Sequence, residues 1–269
     1  MMAMTKTAHR RKRCIALIGC VAMIACATPG IEGVALAGCL TLPEQGEAVV
    51  AAIEDGRTLR LQDGREIRLA GIEIDPSRQA EAKATLASLA RGRRVALRGV
   101  DDAPDRYGRQ PAFVLAEGET QPLQRLLLDA GDAMVGLGIA DDDCRSELVA
   151  AEATARVARR GLWVDPAALK NAGNPGDIMS RVGRFSVIEG RILSVRETGG
   201  TVYLNFGRRW TRDFAVTISR RILGSFEAAG IAPKSLEKKR IRVRGWVEGR
   251  AGPQIRIREV GQIEMPGAR

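Results

Sequence analysis

Arg68 and Glu73 lie five residues apart in the stretch I-R-L-A-G-I-E-I-D-P, and Arg109 closes the later pentapeptide Asp105-Arg106-Tyr107-Gly108-Arg109. Two arginines and a carboxylate meeting at one point suit phosphodiester chemistry. The transition state at phosphorus gathers negative charge, and planar, permanently protonated guanidinium forks stabilise it bidentately. A structural role stands beside this one. Arg68 alternates with Ile67 and Leu69, as on a strand, and such an arginine also pairs with an acid across a sheet.

Short strands and tight turns must carry these side chains. Residues 48–53, 58–62 and 66–72 read as three strands, joined at Asp55-Gly56 and Asp63-Gly64, both hairpin signals between β-favouring runs. Residues 76–89 hold Ala80, Ala84, Leu86, Ala87 and Leu89 at helical spacing, and Gly92 follows. Strands at 94–100 and 112–116 flank the loop with Asp105 to Arg109. Helices follow at 123–130 and from Asp141 to Arg160, the second opened by three aspartates that suit a helix N-terminus. Five short strands with a helix after the third predict a small Greek-key barrel, the OB-fold.

In order, 46–166 carries I-x-D-G-x-T (53–58), R-L-x-G-I-E (68–73), a helical stretch, G-R-R-V-A-L (92–97), D-R-Y-G-R (105–109), A-F-V-L (112–115) and a closing helix ending G-L-W. In this it resembles the staphylococcal nuclease, or thermonuclease-like, family. The resemblance implies an OB barrel with helices. It also implies phosphate-binding, charge-stabilising roles for Arg68 and Arg109, a nucleotide-pocket role for Tyr107 and an orienting role for Asp105.

The family's cation site is altered. Its D-G-D-T turn reads Asp55-Gly56-Arg57-Thr58, so a cation replaces a ligand carboxylate; the second ligand position is Glu73, and the general-base position falls on Pro76. Asp75 is adjacent but out of register, and the next glutamate is Glu81. Calcium takes several oxygen ligands, and Arg57 would put positive charge where the ion should sit. Arg57 is therefore expected to pair with Glu73 in place of a metal. Calcium or another divalent cation would rest on Glu73 and Asp75, with Asp75 as a displaced catalytic base, and cleavage is expected to be weak or lost.

The fold class expected is α+β: a nuclease-like OB barrel with helices, then a second small OB-type barrel. The 269-residue chain divides into a signal peptide (1–37), an N-terminal arm (38–45), the nuclease-like domain (46–166), a linker rich in Pro, Gly and Asn (167–183) and a basic domain (184–265). In the last of these, strands at 185–195, 201–206, 213–218, 240–247 and 254–258, with a helix at 220–229 after the third, repeat the order of the first barrel.

Residues 38–183 hold 19 Lys and Arg against 23 Asp and Glu, a net of −4, whereas 184–269 hold 18 against 8, a net of +10. A mildly acidic domain tied to a strongly basic one suggests a nucleic acid or other polyanion as partner. Near Asn205, aromatics interleave with arginines. Tyr203, Trp210, Arg208 and Arg209 could form a stacking, cationic surface for single strands. Trp210 and Trp246 are equally open to core roles. Trp246 either follows the alternation of Arg242 and Arg244 or turns inward at a bulge at Gly245.

The basic cluster His9 to Arg13, the apolar run Cys14 to Ala27 and the A-L-A at 35–37 read as an export leader. Leu36-Ala37-Gly38-Cys39 alternatively resembles a lipobox, which would anchor the protein by a lipid at Cys39. A soluble periplasmic or secreted chain cut before Gly38 keeps Cys39 and Cys144, which favours a disulfide between the arm and the last helix of the first domain. The only histidine, His9, leaves with the leader, which excludes histidine-based nucleophiles, bases and zinc sites. Three functions stay open: a nucleic-acid-binding protein with a crippled nuclease site, an active metal-dependent nuclease, and a non-catalytic envelope structural or partner-binding protein.

Overall fold

Asp55 and Asp63 each turn the chain by accepting a hydrogen bond from the amide two residues on, Arg57 N at 2.8 Å and Arg65 N at 3.0 Å. These turns join β1 (Glu44–Asp55), β2 (Thr58–Leu61) and β3 (Glu66–Leu69) in the computed structural model, which describes residues 38–266. β4 (Ile72–Glu73), α1 (Gln79–Ala90), β5 (Arg94–Arg98) and β6 (Arg109–Ala116) follow. The strands close a barrel in the order β1-β2-β3-β6-β5, with β3 and β6 parallel. Its core comes from the inward positions of each strand, among them Val50, Leu59, Ile67, Leu69, Val95 and Leu97, capped by Leu86 of α1.

Outside the barrel lie α2 (Leu123–Ala130), β7 (Met134–Val135), which pairs with β4, and α3 (Asp142–Val157). Asp141 caps α3 by accepting from Cys144 N at 2.7 Å, so the aspartates there serve the helix end. Cys39 and Cys144 are disulfide-bonded and both buried, fixing the arm to the start of α3. The expected leader, 1–37, lies outside the described residues.

The expected linker, 167–183, is folded. It contains β8 (Leu169–Asn171) and α4 (Pro175–Met179), with Asn174 as helix cap and Ile178 fully buried. β9 (Phe185–Arg191), β10 (Ser194–Thr198), β11 (Thr201–Asn205), β12 (Ala215–Ser219), α5 (Arg220–Ala228), β13 (Arg240–Gly249), β14 (Pro253–Ile257) and β15 (Ile263–Glu264) follow. The sheet runs β10-β11-β12-β14-β13-β9-β8, with β12 and β14 parallel and β15 beside β13.

The strand expected at 185–195 is broken into β9 and β10, because Ile192 N bonds to Lys239 O and Leu193 N to Asn205 O, switching partner from the β13 side to β11. Taking β9 and β10 as one bent strand gives the strand order of the first barrel, including its parallel pair. The two β domains pack as one compact unit. Met134, Ala155, Trp163, Phe185 and Val187 make the apolar part of their seam.

Candidate nucleic-acid interface

Arg57 lies in the turn before β2, where its carbonyl accepts Leu69 N at 2.8 Å, which brings the end of β3 beside it. From there its side chain reaches Glu73 on β4. The two form an ion pair, and Arg57 Nη1 also donates to the Ile72 carbonyl at 3.0 Å. Arg68 on β3 approaches the same carboxylate from the other side, with Nη2 at 3.7 Å. Glu73 is thus held between two guanidiniums, its side chain only 14% exposed.

Arg109 begins β6, beside Glu66 of the parallel strand β3. Gly108 has φ of 81°, a left-handed conformation that glycine adopts without the backbone strain of other residues. Asp105 organises the turn. One of its oxygens accepts from Tyr107 N at 2.9 Å and Arg109 N at 3.1 Å, and the other takes the Arg109 fork at 3.1 and 2.8 Å. The side-chain hydrogen bond from Arg109, working against burial and helped by the two backbone bonds, lowers the Asp105 carboxyl to about 2.

Tyr107 is exposed, and the Arg106 and Arg109 guanidiniums lie 4.7 and 4.9 Å from its ring centroid.

Burial lowers the proton affinity of Arg68, as do the charges of Arg57 and Arg109, while Glu73 and Asp105 work in the opposite sense. Three guanidiniums therefore share two carboxylates, and the excess positive charge suits one phosphodiester anion. A calcium ion fits this donor set poorly. The Arg57 guanidinium occupies the carboxylate that would bind it, and Asp55 caps the Arg57 amide with one oxygen. Among the described residues, no group of three or more Asp, Glu, His or Cys side chains is placed to hold a metal ion.

Asp75 is not part of this cluster, contrary to its expected role as displaced base or ligand. It is 4% exposed, accepts from Ser77 N at 3.0 Å and Ser77 Oγ at 2.8 Å, and pairs with Arg181 from the segment after α4. Burial would raise its carboxyl, but the Ser77 and Arg181 hydrogen bonds leave it below its usual value, which weakens it as a base. Glu81 faces Arg78 at 3.3 Å on the surface.

The second domain carries the other expected contact residues. Tyr203, Arg208 and Trp210 line one groove, whereas Arg209 is exposed but not among its lining residues. Trp210 is a surface residue. Trp246 follows the alternation of Arg242 and Arg244 without a bulge, half-exposed and edge-on to Phe185 at 6.0 Å.

Sequence reasoning missed the ionic seam between the domains. Arg244 is buried on β13 and donates to both oxygens of buried Glu152 at 2.9 and 3.3 Å, to the Val135 carbonyl at 3.0 Å and to Glu264. Arg242 pairs with Glu189 at 2.6 Å and Glu264 at 3.2 Å. A signal existed: Glu152 falls on the i, i+4 line of α3 with buried Cys144 and Leu148, a carboxylate at a core position.

Residues 67–165 match the family model described as staphylococcal nuclease homologue. The matched stretch carries Arg68, Glu73 and the Asp105 to Arg109 turn, and over it the chain is similar to that family. The match begins after Arg57 and ends before β8, so it leaves out the first two barrel strands and the whole second sheet. A search of curated proteins found no match to the chain.

Proposed function

We propose that the chain is an exported nucleic-acid-binding protein whose nuclease-type barrel holds a phosphodiester backbone without cutting it efficiently. The observation that carries this reading is the Arg57 to Glu73 ion pair. It puts a fixed guanidinium in the place of a cation, spends the remaining carboxylate and leaves Arg68 with charge to offer an anion. Asp75, the nearest candidate base, is capped and paired elsewhere. Loss of a metal site and of a base each removes orders of magnitude in rate, whereas arginine contacts to phosphate survive both.

Export is supported by the leader pattern in the sequence and by the buried disulfide, a bond that persists in oxidising compartments. A Cys39 sulfur held in that disulfide has no valence for a thioether to lipid, which favours the soluble form.

The test is incubation of the purified protein with denatured DNA in calcium, magnesium, manganese and chelator, alongside retention on immobilised single-stranded DNA across a salt series. The expected result is intact DNA under every condition and retention that falls steeply with salt. Arg68→Ala should weaken retention and reduce the salt slope by about 1. Metal-dependent cutting that disappears in Arg68→Ala would establish an active nuclease instead, and retention indifferent to salt would point to a structural or partner-binding protein.

A further inference from the structure

β10 and β11 are paired in the register Ser194 to Asn205, Arg196 to Tyr203 and Thr198 to Thr201, so these side chains share one face of the sheet. The opposite face carries Val195, Val202 and Leu204 into the core. The outward face forms the floor of a groove of about 700 Å³. The floor supplies an aromatic ring, Tyr203, among hydroxyl and amide groups. The rim supplies Arg196 from β10, Arg208 and Trp210 from the loop between β11 and β12, and Lys238 from the segment before β13.

Three features mark the groove as built. The loop with Arg208 and Trp210 is tied across its neck, with Asp213 accepting from Arg209 N at 2.7 Å and Phe206 N bonding to Phe214 O at 3.1 Å. Gly207 is needed there, because a Cβ at that position would sit 2.0 Å from the Asp213 carboxylate. Lys238 holds φ of 64°, a left-handed conformation uncommon for a lysine, and its ammonium bonds to the Leu193 carbonyl at the groove. Among the described residues the lining contains a single acid, Glu237, and Lys234 takes up its carboxylate at 2.8 Å.

Trp210, 73% exposed at the lip, offers an indole face to solvent beside cations. A ligand with flat π faces and an anionic backbone satisfies both features, and the faces must be free of base pairing. We infer that this groove is a second, separate binding site that takes a short unpaired segment of a nucleic-acid strand, stacking bases on Trp210 and Tyr203 and pairing phosphates with Arg196, Arg208 and Lys238. Its volume accommodates a few nucleotides at most. None of the residues lining the groove belongs to the cluster of Arg57, Arg68, Glu73 and Arg109. The inference stands on these residues alone and does not depend on the Arg68 site.

The test is fluorescence anisotropy with labelled oligothymidylate, a labelled duplex of equal length and thymidine monophosphate as competitor, using the parent protein, Trp210→Ala and Arg196→Ala with Arg208→Ala. Trp210 is a surface residue, so its removal leaves the fold in place. Stacking is worth about 1–3 kcal/mol per base, so Trp210→Ala should weaken oligothymidylate binding about 5- to 150-fold while leaving duplex binding within about twofold. The arginine pair should lower the salt slope by about 1–2.

Unchanged single-strand affinity in Trp210→Ala, an equal loss for duplex, or competition by thymidine monophosphate as strong as by the oligomer would each overturn the inference. A Trp210 effect that persists in an Arg68→Ala background separates this site from the first. Should Arg68→Ala prove silent while Trp210→Ala is not, the barrel reading fails and the groove stands.

Discussion

Glu73 lies between Arg57 and Arg68, and that arrangement sets what the first site can do: the carboxylate neutralises one guanidinium and the other remains for an external anion. Asp105 does a different job. It fixes the Arg109 fork and the turn backbone together, which pre-orients Arg109 at low entropic cost but also competes with phosphate for it. Its carboxyl is depressed to about 2, below the unfolded-state value of about 3.9. A carboxyl depressed on folding stabilises the fold above its unfolded value and loses that contribution as pH falls through the folded one. Urea midpoints measured between pH 6 and pH 2 should therefore fall less steeply from about pH 4 to pH 2 in Asp105→Asn than in the parent. Identical acid limbs would mean that the turn is held by its backbone bonds alone.

Helix α3 connects sequence to both domains, since Cys144 at its start holds the arm and Glu152 further along holds β13. The disulfide closes a loop spanning 105 residues, and chain-entropy reasoning assigns a loop of that size about 4–5 kcal/mol. The double variant Cys39→Ala with Cys144→Ala should lose about 2–5 kcal/mol in urea unfolding, and a loss under 1 kcal/mol would show that the arm adds little.

At this scale most of the fold was legible. Asp-Gly turns between β-favouring runs marked the barrel strands, and the charge reversal at Arg57 marked its pairing with Glu73. The folded 167–183 segment was not legible, because Asn174 and Pro175, read as loop formers, are also what starts a helix such as α4. The break at Ile192 and Leu193 interrupts an unbroken β pattern. It arises from a change of hydrogen-bonding partner, which no local sequence feature records. Asp75 was misplaced for a similar reason, since its partner Arg181 lies 106 positions away.

Across the whole molecule, the charge asymmetry that suggested a polyanion partner divides in two. Part of it is internal: Arg244 of the basic half is paired with Glu152 of the acidic half at the seam. Arg196, Arg208 and Lys238 remain around the groove. The seam also fixes how strongly the two domains depend on each other. Burial alone would raise the Glu152 carboxyl, yet the charge and hydrogen bonds of Arg244, with Val135 N and Arg156, hold it below its usual value, so it stays ionised inside the protein. Removing one partner of such a pair strands a buried charge, typically at about 3–5 kcal/mol, whereas removing the charge from both costs far less. Arg156 stays paired with Glu152 at 2.8 Å, so Arg244→Met should destabilise the protein by at most about 3–5 kcal/mol, and Arg244→Met with Glu152→Gln should cost clearly less than the two single losses added together. In urea unfolding followed by Trp fluorescence, strictly additive losses would show that the buried charges are not coupled. A second transition in Arg244→Met alone would show that this pair keeps the second sheet unfolding together with the nuclease-type barrel.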